Sequence, residues 1–385
     1  MTSDREDWIG RAEAEALLGV KSQTLYAYVS RGHLEARPDP SHSRRSLYST
    51  ADLLRLKDPS SPRVARPQVE RAPGVTITSG LTSVDADGVS FRGQDAVALS
   101  QTATLEQVAR LVWGGTADDP FADQRPRVDV IFPGTPRSRA FACLARRADE
   151  DGPTSGRSPV SLRREAASIL NEIVDAIAGP GPRLHIHQRL ARAWKLTEVS
   201  SPILRQAMIL SIDHQADAAV LAARVTADAG ASLAASTLSG LAAFSGPELG
   251  GRLSLVNNFV IEARKTDARS ACRARLAEGQ ALPGFEDGPH PGGDPRARAL
   301  IEAAHLSEPL ADIAHVGEAM TGRAPSLAMA ICLATRNLDL PRDAAFALMS
   351  VGRCVGWLAH AMEQTGSSSH FQPTLRYVGT GSDAA

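Results

Sequence analysis

The side chains best suited to chemistry gather in the second half of this 385-residue chain. His214 follows an aspartate. Arg296 closes an Asp-Pro-Arg step, and Arg353 lies further on. Guanidinium groups of this kind hold small carboxylates through paired hydrogen bonds. Between them, Asp287 and His290 fall in a turn-rich stretch, and Glu248 sits in another. Asp287 could act as a base, and Glu248, Asp287 and His290 have a second reading, as solvated loop residues. Arg296 has a second reading, as a helix-start residue paired with Asp294. His185, His187, His305, His315 and His370 read as surface or satisfied core residues. A different group, Lys21, Ser22, Thr24, Tyr28, Arg31, Arg44 and Arg45, lies near the N-terminus. Residues 21–57 hold seven Lys/Arg against three Asp/Glu. Phosphate contacts need such a local excess.

Composition narrows the classes. A formal net charge of −1 means that the chain as a whole is no polyanion binder. The four cysteines lie far apart, with no Cys-x-x-Cys or Cys/His ligand spacing, so neither a disulfide framework nor a metal site is indicated. The opening MTSDRED is polar, with no signal-peptide core, and no uncharged apolar run of about 18 residues is evident. A cytoplasmic protein without a prosthetic cofactor is the expectation.

The elements that position these residues follow from periodicity. In residues 8–19, Ile9, Ala12, Ala16 and Leu17 have helical spacing, and Gly19 ends the run. Ser22 is placed to cap a second helix that ends at Gly32. A turn-rich stretch with Arg44-Arg45 then suggests a wing, and TADLLRLK a third helix. The resulting expectation is a helix-turn-helix DNA-binding domain over 1–57, a proline-rich linker over 58–73, and one further domain over 74–385. That domain opens with a short strand-like segment. Residues 116–161 read as irregular, and from about Leu162 nearly everything reads as helix. Small residues crowd 218–243, and helices around 203–245 could pair with the same helices of a second chain or form an ordinary buried helix pair.

Two resemblances sharpen this reading. LLGVKSQTLYAYVSRG followed by RRSLYSTADLLRL resembles the MerR and excisionase type of DNA-binding domain. GLAAFSGPELGGR, LSIDHQADAAVLAARV, LPGFEDGPHPGGDPRA and the run GRAPSLAMAI…GWLAHAMEQ resemble, in order, the citrate synthase family, and RGQD (92–95) resembles its R-G-Y-D turn. The resemblance implies an all-α fold of a large and a small helical domain, and an enzyme that joins an acyl-CoA such as acetyl-CoA or propionyl-CoA to oxaloacetate. In that reaction a carboxylate removes a proton beside the thioester, one histidine steadies the enolate oxygen, and a second polarises the ketone.

Position by position, the family's enolate histidine falls on Leu249, its ketone histidine on Asp287 and its carboxylate base on Ala328. The substrate-binding positions fall on His214, Arg296 and Arg353, while a further arginine contributed across the dimer is Gln372 here. Asp217, Ala219 and Val220 replace the family's N-x-S-T residues, and His360 falls in a helix-packing motif. The resemblance therefore implies a cleft that binds a carboxylate or CoA metabolite with its chemical positions vacant. Attached to a DNA-binding head, it would be a regulator, or a homodimer or heterodimer partner of an intact paralogue. The alternative is an active condensing enzyme.

Overall fold

Internal contacts divide the chain into two units, Met1–Thr76 and Ile77–Ala385. The computed structural model describes residues 8–20, 22–30, 34–39, 42–57, 76–85, 88–115, 117–122, 124–125, 133–214, 216–286, 288, 290 and 292–373. The chain is mainly helical, and its described strands form one small antiparallel sheet in each unit, in orders β1-β3-β2 and β4-β5-β6.

In the first unit, β1 (Trp8–Gly10) precedes α1 (Arg11–Leu18) and α2 (Ser22–Ser30). The antiparallel pair β2 (Ala36–Asp39) and β3 (His42–Ser49) follows, then α3 (Thr50–Lys57). Ile9 and Ala36 pair with Tyr48 from the two strands that flank β3. Ala14, Leu25, Leu34, Tyr48 and Leu53 form the core. The expected first helix is therefore shorter and rotated. Trp8–Gly10 joins the sheet, Ala12 and Ala16 are exposed, and Ala14 is the buried residue. Alternating alanines give too weak an apolar contrast to set the helix phase. Gly19 does end the helix, in the left-handed conformation with its N–H on the Glu15 carbonyl. Ser22 is the first helical residue, and its hydroxyl donates to Glu15 Oε1 at 2.6 Å instead of capping the backbone. Lys21, Arg31 and the linker 58–73 lie outside the described residues, as does the side chain of Arg44.

The second unit begins with β4 (Thr82–Val84), β5 (Val89–Phe91) and β6 (Gln94–Asp95). Arg92 and Gly93, both at positive φ, make the two-residue turn between β5 and β6. Arg92 Nε donates to the Val112 carbonyl, and Asp95 caps the next helix through Ala98 N–H. The family-like RGQD stretch is thus a turn followed by a cap. Then come α4 (Ala96–Thr102), α5 (Leu105–Val112), α6 (Pro136–Glu150), α7 (Pro159–Ala178), α8 (Ile186–Ala193), α9 (Ser201–Leu210), α10 (Ala218–Asp228) and α11 (Leu233–Phe244). The remainder are α12 (Gly251–Lys265), α13 (Ala268–Ala277), α14 (Pro295–Ala304), α15 (Glu308–Thr321), α16 (Leu327–Asn337) and α17 (Ala344–Thr365).

Helix α6 corrects the expectation that 116–161 is irregular. Thr135 caps it, Pro136 opens it, and Ala140, Cys143, Leu144 and Arg147 form a buried stripe. The many arginines hide that stripe, because Arg147 is itself buried and paired with Asp151 and Glu172. All four cysteines are free and buried, and burial foremost pushes the Cys143 thiol up to about 12.

Helix α17 is the axis of this unit, in contact with α7, α9, α10 and α11. By length and composition it could cross a membrane, which the sequence reading did not anticipate, yet 83% of its most apolar window is buried inside the fold. Its glycines let the chain leaving α9 lie against it. A Cβ at Gly352 or Gly356 would stand 2.2 Å from the carbonyl oxygens of Met208 and Ile212, respectively. That close approach sets the connection 211–217, with Asp213, His214 and Asp217, beside Arg353.

Candidate active-site cleft

A cleft of about 480 Å³ opens where the connection after α9 meets the loop before α14 and the start of α16. His214, His290, Asp294, Arg296 and Ala328 line it. The loop is folded inward by a turn in which Gly293 N–H donates to the His290 carbonyl at 3.0 Å. Gly293 has φ +91°, and a Cβ there would meet the Ala324 Cβ at 2.6 Å, so the turn needs glycine on both counts. Ser326 N–H anchors the same loop on the Gly284 carbonyl.

His290 is accordingly no solvated loop residue. It is buried, and its Nε2 lies 3.2 Å from Nε2 of His214. Burial, then the charge of Arg296, brings the His214 pKa down to about 3, so this ring is neutral. Asp294 is within 4.8 Å of both imidazoles, counting one ligand-capable atom from each residue. No metal cluster was visible in the sequence, because His214 and His290 are 76 residues apart.

Both arginines assigned to substrate are held by the chain's own carboxylates. Arg296 donates Nε and Nη2 to the two Asp294 oxygens at 3.0 and 2.8 Å, and Nη1 to the Leu210 carbonyl. The helix-start pairing of Arg296 is therefore present, and Asp294 also caps α14. Arg353 is buried and does not line the cleft. Its Nη2 donates to Asp217 Oδ2 at 2.5 Å and its Nη1 to Asp213 Oδ1 at 3.5 Å. Asp217, where the family pattern has asparagine, also caps α10 by accepting from Ala219 and Val220 N–H. The resemblance marks Asp217 only as a replaced asparagine, whereas the fold makes it a counter-ion to Arg353.

Asp213 ties this site to the core. Burial opposes its charge, but His360, Arg353 and the Thr82 hydroxyl outweigh that and hold its pKa well below the usual range. His360 Nδ1 accepts from Arg224 Nε at 3.0 Å, so its Nε2 carries the proton and donates to Asp213. Arg224 continues to Gln364 Oε1 and Glu363 Oε2. His360 thus links Arg224, through Asp213, to Arg353.

Of the three positions expected to align with the family's catalytic residues, the structure describes Leu249 and Ala328. Leu249 is half-buried and packs against the core, and Ala328 lines the cleft. Asp287 lies outside the described residues. Glu248 is exposed and paired with Arg252 at 3.1 Å. Gln372 is exposed in the C-terminal stretch. On the first unit, Thr24 and Arg45 are exposed, but Tyr28 packs against the small core. Tyr26, half-exposed beside Arg11, is the aromatic that α2 offers to solvent. Two residues' difference reverses the helix face, which the weak period of α2 did not fix.

The family model for the citrate synthase C-terminal domain matches residues 144–374. A 2-methylcitrate synthase of Mycobacterium tuberculosis is 26% identical over a 385-residue alignment that covers 86% of this chain and 96% of that protein. A citrate synthase-like protein of Mycobacterium tuberculosis is 32% identical over 186 residues, 45% of this chain, which spans only half the length of that relative. The citrate synthase of Thermotoga maritima superposes with a TM-score of 0.66 at 22% identity, covering 81% of this chain and 96% of that one. The citrate synthase of Thermoplasma acidophilum, solved in a ternary complex with carboxymethyl coenzyme A and oxaloacetate, gives a TM-score of 0.64 at 17% identity, covering 80% of this chain and 95% of that one. Helical fold, cleft and matched segment together place this chain in the citrate synthase family.

Proposed function

We propose that this chain keeps the citrate synthase fold and cleft without the condensation reaction, and acts as a metabolite-responsive regulator with a DNA-binding N-terminal unit. One observation carries the reading: Ala328 lines the cleft at the position of the family's carboxylate base. A methyl group cannot remove the proton beside a thioester, and one such group supplies roughly 10²–10⁴ in rate. Leu249 vacates a second role, and losses within one catalytic unit are not additive. With acetyl-CoA or propionyl-CoA and oxaloacetate, CoA release followed by thiol titration is expected to run at least about 10³-fold below an intact family member. Turnover within tenfold of such an enzyme would overturn the proposal.

The regulatory half rests on exposed Thr24, Tyr26 and Arg45 and on the basic excess of 21–57. A unit this small binds DNA weakly alone, so pairing of two chains strengthens contact. The outer face of α10 and α11, with half-buried Leu221 and Leu238 around exposed Val225, suits a second copy. Fragments of the gene's own upstream region are expected to be retained at low salt and released as salt rises. No retention at low salt would remove the regulator reading and leave the paralogue partner.

The second reading is an active acyl-CoA–oxaloacetate condensing enzyme. The burial of His290 against His214 favours it, since a histidine three residues from the expected position then stands in the cleft.

A further inference from the structure

We propose that His214, His290 and Asp294 form a binding site for a divalent transition cation of the zinc type, open to the cleft. The two Nε2 atoms are 3.2 Å apart. Two imidazole nitrogens bound tetrahedrally to zinc at their usual bond lengths stand about 3.3 Å apart, so these rings already have the spacing of a shared metal ion. The carboxylate completes a set in which one ligand-capable atom from each residue lies within 4.8 Å of the others. The carboxylate reaches bonding distance with a shift of at most about 1.5 Å. Two imidazoles and one carboxylate, with further positions left to solvent or a small ligand, suit zinc, iron or cobalt better than calcium or magnesium.

The charges around the site balance. Asp294 is paired with Arg296, and Glu286 and Glu318 line the same cleft as Arg252 and Arg323. A metal-free pair is less well satisfied. A proton shared between the Nε2 atoms makes one hydrogen bond, while Nδ1 of the buried His290 has no partner. The turn built on Gly293 holds the His290 backbone in place, so the second ligand is positioned before any ion arrives. Three residues lining a cleft of about 480 Å³ leave room for a chelating small molecule beside the ion.

The test uses the full chain without an affinity tag, stripped with a chelator and titrated with Co²⁺. One Co²⁺ per chain is expected to bind, with visible d–d absorption of a low-coordinate nitrogen and oxygen site, and to be displaced by Zn²⁺. His214→Gln and His290→Gln keep a polar side chain at each position, and circular dichroism reports their folding. Each is expected to weaken binding by more than the roughly 10–100-fold loss typical of an outer-shell partner. If both variants misfold, protection of His214 and His290 from diethyl pyrocarbonate by Zn²⁺ in the unaltered protein gives the answer. Absence of stoichiometric binding, binding unchanged in both folded variants, or no protection would leave a proton-sharing histidine pair and overturn the metal site.

Discussion

Arg224→Ala is expected to lower the unfolding free energy of the helical unit by about 3–5 kcal/mol, the usual loss when one member of a buried ionic network is removed. Arg224 is 2% exposed and points from α10 into α17. Its guanidinium donates to His360 Nδ1, Gln364 Oε1 and Glu363 Oε2, so its removal leaves three acceptors without their donor. The His360 ring would lose the contact that fixes its proton on Nε2, and with it the hydrogen bond to Asp213. The exposed Glu248–Arg252 pair is the natural comparison. Breaking that one should change stability by at most about 1 kcal/mol. Urea unfolding of the full chain, followed by circular dichroism, measures both. Equal small shifts in the two variants would show that the buried network adds nothing beyond a surface pair.

How much of this was legible in the sequence depends on what kind of signal each element gives. Helices α7, α12 and α17 could be read from long apolar runs bounded by Gly, Ser and Pro, and α14 from its Asp-Pro start. Helix α6 could not, because its buried stripe includes an arginine whose partners, Asp151 and Glu172, appear only after folding. The near-continuous helix expected from about Leu162 is broken between α9 and α10, where Gly352 and Gly356 of a distant helix admit the chain. Around the cleft, the family resemblance named His214, Arg296 and Arg353 but could not show which carboxylates would reach them. Asp217 is three residues beyond His214, yet its role depends on Arg353, 136 residues away. The burial of His290 likewise depends on a turn at Gly293 and on the close approach of Ala324.

Asp217→Asn is expected to raise the affinity for oxaloacetate about tenfold or more, because a charge-assisted hydrogen bond is worth about 1.5–3 kcal/mol. Asparagine caps a helix about as well as aspartate, so the start of α10 should persist through Ala219 and Val220 N–H. What changes is charge. Arg353 keeps Asp213 at 3.5 Å but loses the closer anion at 2.5 Å, and an incoming carboxylate no longer has to displace one. On the proposed function, Asp217 holds the buried Arg353 that a dicarboxylate would otherwise claim. Calorimetric titration of oxaloacetate into the unaltered chain and into Asp217→Asn, with Arg353→Met combined with Asp217→Asn as control, tests this directly. Weak binding by the unaltered chain, a gain of about tenfold or more in Asp217→Asn and loss of that gain in the double variant is the predicted result. Equally tight binding by the unaltered chain and Asp217→Asn would contradict it.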